Sequence, residues 1–320
     1  MSGGTVMALC GGVGGAKLAL GLTRVLPAEK LAVVVNTGDD FEHLGLSVSP
    51  DVDTVLYTLA GIANAATGWG RAEETWRCMT ALEALGGEAW FRLGDTDLAT
   101  HLYRTGRLRA GASPTTVTAE LRVRLGVGAE VVPMTDGVVR TELETDRGRL
   151  AFQDYFVRHR CEPSVRSVHY VGADRARPSP RFAELLEDGG LRAVVLCPSN
   201  PPLSIGPILA VPGVQEALRE RRVPVIAVSP IVRGAALKGP AARVLRDLGI
   251  PPAASAVARW YEGVVDGLVI DTADAAEAPE VEAAGVRCRV TATIMHTLGD
   301  RERLAREVLE FAAVLGSSRP

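Results

Sequence analysis

Four glycines in five residues, Gly11, Gly12, Gly14 and Gly15, followed by Lys17, come just after a short apolar run, Thr5–Leu9. A glycine turn between a strand and a helix lets backbone N–H groups approach phosphate oxygens with no Cβ in the way. The helix N-terminus adds its partial positive charge. The plainer alternative is a tight turn that packs the helix close on the strand. Two familiar phosphate motifs do not fit. A P-loop needs a hydroxyl after its lysine, and Lys17 is followed by Leu18. A dinucleotide fingerprint needs a third glycine and an acidic residue closing the second strand. Here Lys17 stands where that glycine belongs, and the second apolar run, Leu31–Val35, ends in Asn36-Thr37-Gly38.

The carboxylates lie nearby in sequence. Asp39 and Asp40 follow the second run, and Asp51 and Asp53 follow Pro50 at an expected helix start. Acidic residues there are often only caps. Four carboxylates beside a phosphate turn are also what a hard, oxygen-preferring cation such as Mg²⁺ uses, and such a cation neutralises phosphate charge during phosphoryl transfer. A second cluster, Trp90–Asp97, leads into His101. Arg92 there suits a phosphate or a flat ring, or is an ordinary surface arginine; His101 reads as a structural histidine. Trp69, Trp76 and Trp90 are concentrated in the same region and read either as core or as a seat for a planar heterocycle.

The elements that must position these groups follow from the apolar pattern. Leu18, Leu20, Leu22, Val25 and Leu26 predict a helix after the glycine turn, which makes strand, turn, helix, strand. Leu191–Leu196, Val223–Val228 and Gly267–Ile270 repeat the pattern, each running into a polar turn. The fold class is therefore α/β, a Rossmann-like doubly wound, mainly parallel sheet whose carboxyl edge binds the ligand. Residues 1–320 read as one domain with a helical insertion over about 51–125 and a β excursion over about 130–172. A helix is expected after Ser113 and Pro114, and Gly316–Pro320 is expected as a loose tail. The chain has 320 residues, 47% hydrophobic and 23% charged, and a net charge of −3, which is no footprint for nucleic acid or an anionic membrane. Five scattered cysteines without CxxC pairs argue against disulfides or zinc. With no secretion signal or spanning stretch, the expected location is cytoplasmic. A homodimer is expected only from the general prevalence of two-fold assemblies.

Several long segments resemble one family in one order, over about residues 5–300: GGVGGAK (Gly11–Lys17), VVNTGDD (Val34–Asp40), SPDVDTVLYTLAG (Ser49–Gly61), GWGRAEETW (Gly68–Trp76), WFRLGDTDLATH (Trp90–His101), CPSNPPLSIGPILAVPG (Cys197–Gly213) and VSPIVRG (Val228–Gly234). They resemble the 2-phospho-L-lactate transferases of coenzyme F420 biosynthesis. The resemblance implies transfer of a phospholactyl or phosphoenolpyruvyl group from a guanosine diphosphate-linked acid to the ribityl hydroxyl of the deazaflavin Fo. GMP is released and Mg²⁺ is required. It implies Asp53 and Arg92 against the deazaflavin. Asp39, Asp40 and Asp53 are the implied metal ligands, and Asp40, Asp51 and Asp53 the candidates for hydroxyl activation. It places Gly12, Gly14, Gly15 and Lys17 on the diphosphate, Asn36 beside the substrate, and Ser199 and Asn200 near phosphates or guanosine. Thr96 stands where many members have arginine. The rivals are a non-enzymatic nucleotide-sugar-binding regulator, which lacks the PDVDT and WFRLGD segments, and an NAD(P) oxidoreductase, which Asn36 disfavours.

Overall fold

The computed structural model describes residues 4–187, 189–236 and 239–317. Its centre is a sheet of seven strands, all parallel: β1 (Thr5–Cys10), β2 (Leu31–Val35), β5 (Glu130–Pro133), β9 (Leu191–Leu196), β10 (Val225–Val228), β13 (Gly267–Asp271) and β14 (Arg287–Thr291). The intervening strands lie outside this sheet. They form the hairpins β3–β4 (Phe41–His43, Leu46–Val48) and β11–β12 (Ile231–Val232, Ala235–Ala236), and a three-stranded sheet of β6 (Arg140–Thr145), β7 (Gly148–Ala151) and β8 (Val165–Val171).

The sheet order is β14-β13-β10-β9-β1-β2-β5. From β1 the chain winds outward through β2 to β5, then returns to the other side of β1 and winds outward again from β9. The reversal falls between β1 and β9, so a crevice opens at their carboxyl ends. The five residues of β2 are all buried, since a parallel strand covered by helices on both faces needs an apolar residue at every position.

Helix α1 (Gly12–Val25) buries Leu18, Ala19 and Leu22 against the sheet and packs on α2 (Pro50–Ala60) and on the C-terminal helix, Leu298–Ser317. Two more helices, α3 (Arg77–Ala84) and α4 (Asp95–Arg109), follow α2. Next comes α5 (Pro114–Arg124), where the Ser113 hydroxyl accepts the Thr116 N–H at 3.2 Å and Pro114 is the first helical residue, as the sequence predicts.

Two expectations need correction. β5 pairs with β2 as the edge of the main sheet, so the excursion is β6–β8 alone. Gly316 and Ser317 are helical rather than a loose tail, and the rest of that tail lies outside the described residues. β14 and the β3–β4 hairpin were not expected at all. All five cysteines are free, and Cys10 and Cys197 are buried. Among the described residues no helix is long and apolar enough to cross a membrane.

Candidate active site at the β1–β9 crevice

The glycine turn is built for close approach on two sides. Gly12 sits at φ +63, a backbone conformation that disfavours side chains. The Ser199 hydroxyl, on the loop after β9, accepts the Gly11 N–H at 3.1 Å and donates to the Gly11 carbonyl at 2.7 Å. A Cβ on Gly14 would strike the Pro198 carbonyl, and one on Gly15 the Ser199 hydroxyl and Cys10. Gly11, Gly12 and Gly14 line the crevice, but Gly15 does not. Gly15 is therefore a packing glycine and not a phosphate contact, and Ser199 primarily locks the turn. Gly15→Ala is expected to cost about 1–3 kcal/mol by overpacking, read as a lowered urea midpoint.

The four carboxylates divide into two kinds. Asp51 does not cap its own helix. Its carboxylate crosses to α1 and accepts the Gly12 N–H, and it takes the Asn36 side-chain amide at 2.9 Å. The same amide lies 3.4 Å from Asp39, which also faces the Gln153 amide at 3.4 Å. Both carboxylates are buried and both line the crevice. Burial pushes Asp51 up to about 6 against the opposing pull of Asn36 and Gly12. Burial first, and then the neighbouring Asp51 charge, hold Asp39 well above the usual carboxylate range. Asn36 thus clamps the pair from behind and is absent from the lining, so it is not a direct substrate contact.

Asp40 and Asp53 are engaged elsewhere. Asp40 accepts from the Ser49 hydroxyl at 2.9 Å, lies outside the crevice lining, and is pushed up to about 7 by burial. Asp53 lines the crevice, but the Arg104 guanidinium pairs with both of its oxygens. Among the described residues no three His, Cys, Asp or Glu side chains converge as a metal cage. The expected ligand set Asp39, Asp40 and Asp53 is therefore not assembled, because Arg104 already neutralises Asp53 and Asp40 turns toward Ser49. Asp39 and Asp51 do fit a divalent cation. They are two hard, buried carboxylates that repel one another and leave room for phosphate oxygens and water as further ligands.

The crevice encloses about 750 Å³. One part of its wall comes from the sheet edge and the loops after it: Gly11–Gly14, Ser199, Asn200, Ser229 and Thr293–His296. The other part is apolar and aromatic, with Val48, Tyr57, Phe91, Leu93, Phe152 and Phe156. Lys17 lines the first part and donates to the Met295 carbonyl at 3.0 Å. Asn200 accepts the Leu203 N–H at 3.2 Å, while its amide nitrogen is buried without a protein partner.

Arg92 departs from expectation. It is exposed, stacks over Trp76 at 5.5 Å, and lines a small side recess with Trp69 and Arg71 rather than the crevice beside Asp53. Trp90 packs with Phe41, His43 and Phe91, so only Trp69 of the three tryptophans reaches the crevice. Sequence reasoning missed Tyr57, Phe152 and Phe156, the Thr293–His296 segment and Arg104. Only Arg104 carried a usable signal, its spacing of i, i+4, i+7 from Asp97 and His101 on one helix face.

The comparisons with known proteins agree with this architecture. A family model described as 2-phospho-L-lactate transferase CofD matches residues 6–310. A phosphoenolpyruvate transferase of Streptomyces griseus is 44% identical over 96% of this chain and 98% of its own. A 2-phospho-L-lactate transferase of Methanopyrus kandleri is 43% identical over 96% of this chain and 97% of its own. A crystal structure of a UPF0052 family protein from Bacillus halodurans superposes with a TM-score of 0.63, covering 97% of this chain and 99% of that one. At 16% identity it speaks to the fold alone.

Proposed function

The chain belongs to the CofD family of 2-phospho-L-lactate transferases, enzymes of coenzyme F420 biosynthesis, and from that premise we propose the reaction it performs. It transfers a phospholactyl or phosphoenolpyruvyl group from a guanosine diphosphate-linked acid to the ribityl hydroxyl of Fo, forming a phosphodiester and releasing GMP. The observation that carries this reading is the Asp39–Asp51 pair standing against the N-terminus of α1 at the sheet's switch point. That crevice offers oxygen donors for a cation, amides for phosphate oxygens, and an apolar aromatic wall for a planar acceptor.

Each group has a part to play. The Val13–Gly14 part of the turn and the positive end of α1 seat the diphosphate, since the Gly11 and Gly12 N–H groups are already taken by Ser199 and Asp51. Lys17, tethered to Met295, and the spare amide of Asn200 lie in the same wall. Mg²⁺ held by Asp39 and Asp51 would neutralise phosphate charge as the leaving GMP develops its own. The acidic pair accepts the proton of the attacking hydroxyl. Asp53, held by the Arg104 guanidinium, orients the acceptor. No covalent intermediate on the protein is required, because positioning and electrostatics supply the catalysis.

Purified protein given Fo, Mg²⁺ and the guanosine-linked donor is expected to release one GMP per phosphodiester formed. Chelation with EDTA should stop the release, and added Mg²⁺ should restore it. No GMP release under these conditions would remove the proposal. Competition between lactyl and enolpyruvyl donors, read by product mass, identifies the acid.

A further inference from the structure

The buried carboxylates of the crevice are held in two ways. Asp53 is held by a cation, since both of its oxygens take the Arg104 guanidinium. Asp39 is held by neutral amides: its Oδ1 faces the Asn36 amide at 3.4 Å and its Oδ2 the Gln153 amide at 3.4 Å. Asn36 is committed to Asp51, at 2.9 Å. Among the described residues Gln153 is therefore the one side-chain donor that Asp39 does not share. Arg140 acts on Asp39 through its field alone, with its Nη1 given to the Val139 carbonyl at 2.8 Å. Gln153 is 5% exposed and lines the crevice, and the chain around it is fixed on both sides. It opens a single wide turn, Asp154–Arg158, in which Tyr155 is fully buried in a small core with Leu143 and Val165. Phe152 and Phe156 stack with ring centroids 5.5 Å apart in the aromatic wall.

A neutral donor fixes a carboxylate without cancelling the charge that attracts a cation, and hydrogen bonds of this kind orient metal-ligating carboxylates. A lysine or arginine in the same place would occupy Asp39 as Arg104 occupies Asp53. Without any donor there, Asp39 would keep only a long hydrogen bond to an amide already engaged by Asp51, and it could swing away from its partner. We propose that Gln153 is the positioning residue of Asp39, an amide carried in by the β6–β8 excursion that aims the carboxylate and leaves its charge free for a divalent cation. The proposal rests on the function given above, in which Asp39 and Asp51 hold that cation. It gives the excursion a task at the reaction centre, performed from 114 positions along the chain.

Two variants test the amide. Gln153→Met keeps the length of the side chain and deletes the donor, while Gln153→Lys keeps a donor and adds a positive charge. Each full chain is loaded with GDP and titrated with Mn²⁺, and the protein-bound ion is read by electron spin resonance. Gln153→Met is expected to bind Mn²⁺ about 10-fold or more weakly than the parent, the range for a hydrogen-bonding partner of a metal ligand. Its GDP affinity in EDTA should match the parent's, which shows that the fold and the glycine turn are intact. Gln153→Lys is expected to abolish Mn²⁺ binding, because the ammonium takes the place of the cation. Parent-like Mn²⁺ affinity in either variant would overturn the inference. So would a Gln153→Met protein that loses GDP in EDTA to the same degree as Mn²⁺, since the residue would then serve the fold. A parent protein that binds GDP but no Mn²⁺ would instead bring down the cation reading of Asp39 and Asp51, and the inference with it.

Discussion

Asp51→Asn is expected to lose about a hundred- to a thousandfold in turnover and yet to melt at a higher temperature than the parent at pH 8. The activity loss follows from removing one of the two carboxylates that face the crevice together, on the scale seen when an electrostatic group at a transition state is deleted. The stability gain follows from linkage. Asp51 is protonated more readily in the fold, near 6, than in the unfolded chain, near the ordinary carboxylate value. A raised folded value means that its stability contribution is fully present at low pH and is lost as pH rises through about 6. At pH 8 the ionised group therefore costs on the order of 1–3 kcal/mol, since each tenfold gain in proton affinity on folding is worth about 1.4 kcal/mol. Asparagine removes the charge that repels Asp39 and keeps one oxygen, for either the Gly12 N–H or the Asn36 amide; the N–H it turns on the other donor offsets part of that gain. The parent should lose stability between pH 5 and pH 8, and the variant should lose less. Mg²⁺ with GDP should raise the parent's melting temperature and leave the variant's almost unchanged. A variant that turns over normally, or that melts lower than the parent at pH 8, would refute this account of the pair.

The frame was legible where burial demands a continuous apolar run. β1, β2, β9, β10 and β13 are such runs, and each ends in a turn that the sequence displays. β14 was hidden because it lies at the sheet's edge and alternates, with Arg287 and Arg289 interrupting the run. The four residues of β5, Glu130–Pro133, carry no statement of which strand they pair with, so their place at the edge of the main sheet is invisible in sequence.

The site was legible in residue types and illegible in partners. That Asp51 matters could be suspected from its place after Pro50, but not that its carboxylate leaves its own helix for the N-terminus of α1. Gly15 looks like a phosphate glycine until Ser199 is seen filling its Cβ position. That contact links residues far apart in the chain, as does the bond between Ser199 and Gly11, 188 positions away. Arg92 sits between aromatics in sequence, yet the side chain it covers is Trp76, outside the crevice. Asp53 looked like a free acid because its counter-ion stands 51 residues later. Helix-on-helix packing decides such pairs, and no local motif encodes it.

That counter-ion carries the largest stability effect expected of any single residue here. Arg104 and Asp53 have side chains only 5% and 7% exposed, on the facing sides of α4 and α2. Arg104→Met removes the cation and leaves the carboxylate buried with His101 as its nearest remaining basic neighbour. Breaking a buried pair in this way costs about 3–5 kcal/mol, because the remaining ion keeps its desolvation penalty and loses its compensation. A loss of that size should move the urea midpoint well below the parent's and depress Fo binding, since Asp53 would no longer be held against the crevice wall. The double variant Asp53→Leu with Arg104→Met replaces both ions by apolar groups, so it should recover a large part of the stability while still failing to bind Fo. The cycle therefore separates two things that the single variants mix, the worth of the pair to the fold and the worth of Asp53 to the ligand. If Arg104→Met alone stayed within about 1 kcal/mol of the parent, Asp53 would be solvated rather than clamped, typical of an exposed pair. Its orienting role beside the acceptor would then lose its basis, because a hydrated, mobile carboxylate fixes nothing.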